Sequence, residues 1–113
     1  MKRGEVWWVD FEPSFGSETQ KVRPTVIISN NASNMALSRV VVVPFTSNIT
    51  KIYPGNVLVN VGGAIAKLMA DQIMTADKNR LKNLIGNLSS DDMVKVENTV
   101  RMHLGLLSNW NKT

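Results

Sequence analysis

Val40-Val41-Val42-Val43-Pro44-Phe45-Thr46-Ser47-Asn48 is the stretch from which the fold is read. Its four consecutive valines are stiff at χ1, which suits a pleated surface better than a helix. Apolar at odd and even positions alike, they offer no face to solvent and so predict a central strand buried on both sides. Pro44 to Asn48 is expected to end that strand. Moving outward, Thr25-Val26-Ile27-Ile28-Ser29 reads as a strand launched by Pro24, whose missing N–H suits a first position. Polar Asn30 to Asn34 predicts a turn, with room for one short helical turn. Val6-Trp7-Trp8-Val9-Asp10-Phe11 is aromatic and β-branched, again a strand, and Trp7 and Trp8 must point to opposite faces of it. One is expected in the core and the other along a surface groove.

Between the first two strands lies Pro13-Ser14-Phe15-Gly16-Ser17-Glu18-Thr19-Gln20-Lys21. This connection is long for a hairpin, and long loops in small domains tend to carry function. Downstream of the valines, Tyr53-Pro54-Gly55 reads as a turn, Asn56-Val57-Leu58-Val59 as a strand and Gly62-Gly63 as a second turn. A strand near Lys67–Ala76 and a short one at Leu84–Leu88 follow. Helical periodicity is confined to the C-terminal stretch, where Met93, Val96, Val100, Leu104 and Leu107 recur at spacings of three and four. Ser89 or Ser90 can cap that helix, with Asp91 and Asp92 at its positive end and Arg101 and His103 at its negative end. Many short strands closed by one helix predict a mainly β, α+β fold: a small, partly open barrel forming a single domain over residues 1–113.

Composition narrows the chemistry. The chain has no cysteine and one histidine, so thiolate sites and imidazole clusters are excluded, and no metal or cofactor is expected. No signal-peptide pattern and no apolar run of membrane-spanning length is present, which predicts a soluble, cytoplasmic protein with no membrane partner. Thirteen basic against nine acidic residues give a net charge of +4, spread evenly along the chain. This permits a polyanionic partner without demanding one. His103 falls outside the apolar stripe of the helix and reads as a helix-end cation rather than a catalytic base. The polar residues expected at strand ends are Glu18, Arg23, Thr46 and Ser47. A guanidinium beside a hydroxyl can grip a phosphate, and RNA brings its own nucleophile, the 2′-hydroxyl. A fixed Arg would then stabilise the charge that gathers on the phosphorane oxygens. Arg is a poor general base, so that role is left among Glu18, an activated hydroxyl, water and a strongly perturbed Arg23.

Lys2-Arg3-Gly4-Glu5-Val6-Trp7, Gly16-Ser17-Glu18, Val22-Arg23-Pro24, Pro44-Phe45-Thr46-Ser47 and Asp71-Gln72-Ile73 occur in this order. As an ordered set they resemble the signatures of the MazF/PemK (mRNA interferase) toxins, over residues 2–107. The resemblance implies an SH3-like, PemK/CcdB-type barrel with a C-terminal helix, assembled as a homodimer. It also implies a toxin of a type II toxin-antitoxin system, a metal-independent endoribonuclease. Such an enzyme cleaves single-stranded RNA at preferred sequences, leaving a 2′,3′-cyclic phosphate and a 5′-hydroxyl. By motif, catalysis would fall to Arg23 and Thr46 with Glu18 in support, and RNA contacts to Ser17, Gln20, Ser47 and Gln72. The implied partners are single-stranded RNA and a cognate antitoxin. The alternative is a CcdB-type toxin that poisons DNA gyrase without catalysis, since that group shares the barrel and has a Trp near its end; here Trp110 is followed by Asn111-Lys112-Thr113. A plain SH3-like binding module is the third reading.

Overall fold

In a computed structural model of the chain, which describes residues 1–11 and 22–106, the valine run lies in the middle of one seven-stranded sheet. The strands are β1 (Glu5–Asp10), β2 (Val22–Ile27), β3 (Arg39–Thr46), β4 (Asn56–Val61), β5 (Ala64–Met69), β6 (Met74–Asp77) and β7 (Leu81–Asn87). Helix α1 (Asn31–Ala36) joins β2 to β3, and α2 (Ser90–His103) follows β7. Every pairing is antiparallel, in the order β4-β5-β3-β2-β1-β7. β6 lies beside β3 at Arg39–Val42, and β5 takes over that side of β3 at Phe45–Thr46.

β3 departs from its expected end. It runs through Pro44 and Phe45 to Thr46, with Pro44 opposite Thr25 of β2. Pro24 is likewise inside β2, opposite Trp8, and not at its start. The β3 ladder covers only Thr25–Ile27, so Val22, Arg23 and Pro24 are paired on the β1 side alone, where a residue without an N–H is tolerated. The single strand expected near Lys67–Ala76 is broken: a 3-10 turn at Ala70–Gln72 separates β5, which pairs with Phe45–Thr46, from β6, which pairs with Arg39–Val42. The last strand is longer than expected, beginning at Leu81.

Other expectations hold. Gly62 and Gly63 form the two-residue turn of the β4–β5 hairpin, both at positive φ (60° and 90°), the backbone of a type I′ turn that side chains with a Cβ resist. Asn30 caps α1 by accepting the Ser33 N–H at 2.8 Å, and Ser89 caps α2 by accepting that of Asp92 at 3.1 Å.

Alternation along the strands divides the apolar residues into two clusters. Val6, Val26, Val43, Phe45, Val59 and Leu68 pack with Val96 of α2 on one face of the sheet. Val9, Ile27, Val40, Val42, Ala76 and Leu81 form the second cluster, flanked by Trp7 and Phe11. Trp8 is 42% exposed, so the two tryptophans divide between core and surface as their spacing requires. Among the described residues no helix is long and apolar enough to cross a membrane.

Candidate active site

The Lys2–Trp7 motif buttresses β1. Glu5 Oε1 accepts the Lys2 N–H at 2.9 Å and the Trp7 indole N–H at 3.0 Å, with the terminal ammonium 3.9 Å away. Burial raises the Glu5 carboxyl, but those two hydrogen bonds and the positive charges of the terminus and Lys2 outweigh it and hold the group below its ordinary value. Trp7, so fixed, lies opposite Thr25 of β2. Thr25 is fully buried and its hydroxyl donates to the Arg23 carbonyl at 3.0 Å.

Register then aligns the polar residues. Arg23 is opposite Val9, which in turn is opposite Leu81. Thr46 is opposite Lys67, which in turn is opposite Leu58. Between β2 and β3 the ladder runs Ile27↔Val42, Val26↔Val43 and Thr25↔Pro44, where it ends, and Arg23 and Thr46 each stand two residues beyond that last pair, on the same side of their strands as Thr25 and Pro44. Both side chains therefore belong to the face that carries Ile27, Thr25 and Val42, away from α2. Phe45 and Leu68, one step off this row, are fully buried beneath α2, which independently sets Thr46 and Lys67 on the other side. Arg23 and Thr46 are both half-buried.

The turn after β3 orients the hydroxyl. Thr46 Oγ1 accepts the Asn48 N–H at 3.2 Å, while Asn48 Oδ1 accepts from the Thr50 N–H at 3.3 Å and hydroxyl at 2.7 Å. That bond engages one lone pair of the Thr46 oxygen, and among the described residues no acceptor is bonded to its O–H. Ser47 is exposed at the start of this turn. Gln72 sits off the row, exposed on the 3-10 turn after β5, its amide directed at Met69 Sδ at 3.6 Å. Ser17, Glu18 and Gln20 lie outside the described residues, as does Trp110.

Two residues at the row were not singled out from the sequence. Asn48 was read only as a strand end, and Lys67 only as the beginning of a strand. Strand pairing reveals Lys67, and Asn48 is revealed by the hydrogen bond from its N–H to Thr46. His103 closes α2, exposed, and packs on the Tyr53–Gly55 turn: a Cβ on Gly55 would stand 3.3 Å from His103 Nδ1. Among the described residues, no group of three or more His, Asp or Glu side chains is gathered in a way that could hold a metal ion.

A family described as PemK-like, MazF-like toxin of type II toxin-antitoxin system matches residues 2–104. The chain belongs to that family. Among other PemK/MazF members, this toxin-family chain is 38% identical to Endoribonuclease MazF9 of Mycobacterium tuberculosis, over 96% of its own length and 99% of the relative's. It is 36% identical to Endoribonuclease MazF of Staphylococcus saprophyticus, over 94% of this PemK/MazF chain and 92% of that one. A solved mycobacterial endoribonuclease in complex with its cognate antitoxin superposes with a TM-score of 0.81 at 27% identity, covering 95% and 97% of the two chains. The PemK/MazF fold inferred from the ordered motifs is thus matched in three dimensions.

Proposed function

We propose that this chain, acting as one domain over residues 1–113, is the toxin of a type II toxin-antitoxin system and an endoribonuclease for single-stranded RNA. The observation that carries the chemistry is that strand alternation puts Arg23 and Thr46 on one face of the sheet, each two residues beyond the Thr25↔Pro44 pair. A phosphodiester seated there meets a guanidinium from β2 and a hydroxyl from the end of β3. The ribose 2′-hydroxyl loses its proton and its oxygen bonds to phosphorus. The bond from phosphorus to the 5′-oxygen then breaks, and that oxygen takes up a proton. The products are a 2′,3′-cyclic phosphate and a 5′-hydroxyl, with no metal required because the substrate supplies the nucleophile. Arg23 stabilises the charge on the phosphorane, and Thr46 donates to one of its oxygens. Glu18 is assigned to hold Arg23 or to relay the proton, and Ser17, Gln20, Ser47 and Gln72 to contact RNA.

The working form is a homodimer in the cytoplasm, held inactive by a cognate antitoxin. The antitoxin-bound mycobacterial relative supports the last of these. The endoribonuclease names of the relatives favour catalysis over gyrase poisoning.

Purified protein incubated with mixed-sequence single-stranded RNA in EDTA is expected to give 5′-hydroxyl ends. Arg23→Ala and Thr46→Val, folded as judged by circular dichroism, are expected to cleave at least ~100-fold more slowly. Cleavage abolished by EDTA, or an Arg23→Ala protein as active as wild type, would refute the assignment.

A further inference from the structure

Lys67 carries a charge that the proposed mechanism does not use. It faces Thr46 directly across the β3–β5 ladder, and opposed residues in such a pair hold their Cβ atoms about 5 Å apart. Leu68 on one side of it is fully buried and Ala66 on the other is nearly so, which fixes the lysine on the opposite face, that of Thr46 and Arg23. Its ammonium is not loose: Nζ donates to the Lys51 carbonyl at 2.8 Å, a bond that joins β5 to the connection between β3 and β4. That acceptor is neutral, and among the described residues no carboxylate is bonded to Lys67. An ammonium has three donors, so two remain for a further acceptor, beside a threonine whose oxygen accepts the Asn48 N–H.

We infer that Lys67 is a phosphate-binding residue of the RNA site, gripping a backbone phosphate of the bound strand next to the one held by Arg23 and Thr46. The inference rests on the nuclease reading above and extends it to a third strand. Three neighbouring strands then each give this face of the sheet one polar group, Arg23, Thr46 and Lys67, and a nucleic-acid backbone laid across the strands meets them in turn. Lys67 takes no part in bond breaking. It acts on affinity, and its bond to the Lys51 carbonyl holds the ammonium in place.

The test uses the full-length protein and a mixed-sequence single-stranded RNA with 2′-fluororibose throughout, which lacks the attacking hydroxyl. Affinity is measured by fluorescence anisotropy over a series of salt concentrations. Each phosphate neutralised on a single strand contributes about 0.7 to the slope of log affinity against log salt. Lys67→Gln keeps a donor but loses the charge, so its slope should be shallower by about 0.7, and Lys67→Arg should restore it. On cleavable RNA, Lys67→Gln should raise KM several-fold with kcat little changed. In wild type, independent of whether either variant folds, bound RNA should slow acylation of the Lys67 amine and leave that of Lys95, on α2, unaffected. A Lys67→Gln slope equal to wild type, or acylation of Lys67 equally fast with and without RNA, overturns the inference alone. Failure of wild type to bind or cleave any RNA overturns the nuclease reading and the inference with it.

Discussion

Glu5 shows how a motif residue can matter without touching substrate. Its carboxylate joins the N-terminal turn to the Trp7 indole, and Trp7 packs on the face that carries Arg23. The group's folded value lies below its unfolded one. Its contribution is therefore fully present above the ordinary carboxylate range and is lost as pH falls through the depressed folded value, because only the unfolded chain has taken up the proton there. Glu5→Gln is expected to lower stability at pH 7 by about 1 kcal/mol and to flatten the acid limb of the stability profile. Urea titrations from pH 7 to pH 3 check both; parallel profiles for the two proteins would show that Glu5 is not the linked group. Arg23 and Thr46 could be proposed from the sequence because they stand in short motifs. Lys67 and Asn48 could not, since Lys67 gains its meaning from a partner 21 residues away and Asn48 from a main-chain N–H folded back onto Thr46.

Among the elements, those written in local chemistry were legible. The valine run predicted the central strand, the Gly62-Gly63 pair predicted a turn, and spacing together with Ser89, Asp91, Asp92, Arg101 and His103 predicted α2. Elements whose limits depend on neighbours were read short. Pro24 and Pro44 look like strand boundaries to any local rule, yet both lie inside strands, Pro24 where β2 lacks its β3 partner and Pro44 buried opposite Thr25. The break at Ala70–Gln72 follows from the path of β3 and not from a Gly or Pro in that segment. A prediction at this scale concerns the helix cap. Ser89→Ala removes the acceptor for the Asp92 N–H and should cost about 1 kcal/mol, lowering Tm by roughly 4 °C. Since α2 lies on the face of the sheet away from Arg23 and Thr46, cleavage at 25 °C should be unchanged. Calorimetry and a cleavage assay on the same preparation test the two halves, and an activity loss would mean that helix and site are coupled.

For the whole molecule, the sheet converts sequence order into neighbourhood: Leu81, Val9 and Arg23 line up across three strands, Thr46, Lys67 and Leu58 across three more, and both rows belong to the face away from α2 although they span most of the chain. Apolar side chains left exposed outside these rows, among them Met35 at 87% and Leu37 at 57%, offer surface for assembly. A dimer is expected in sedimentation velocity at micromolar concentration, for wild type and Arg23→Ala alike; monomer alone would count against the two-subunit form. β3 has the most exacting position, since it pairs with β6 over its first half, with β5 over its last two residues, and with β2 along its other edge. The places of Thr46 and Lys67 are thus inherited from main-chain geometry and not from the connections that follow the strands. Substitutions confined to those connections would leave the paired positions beneath them undisturbed.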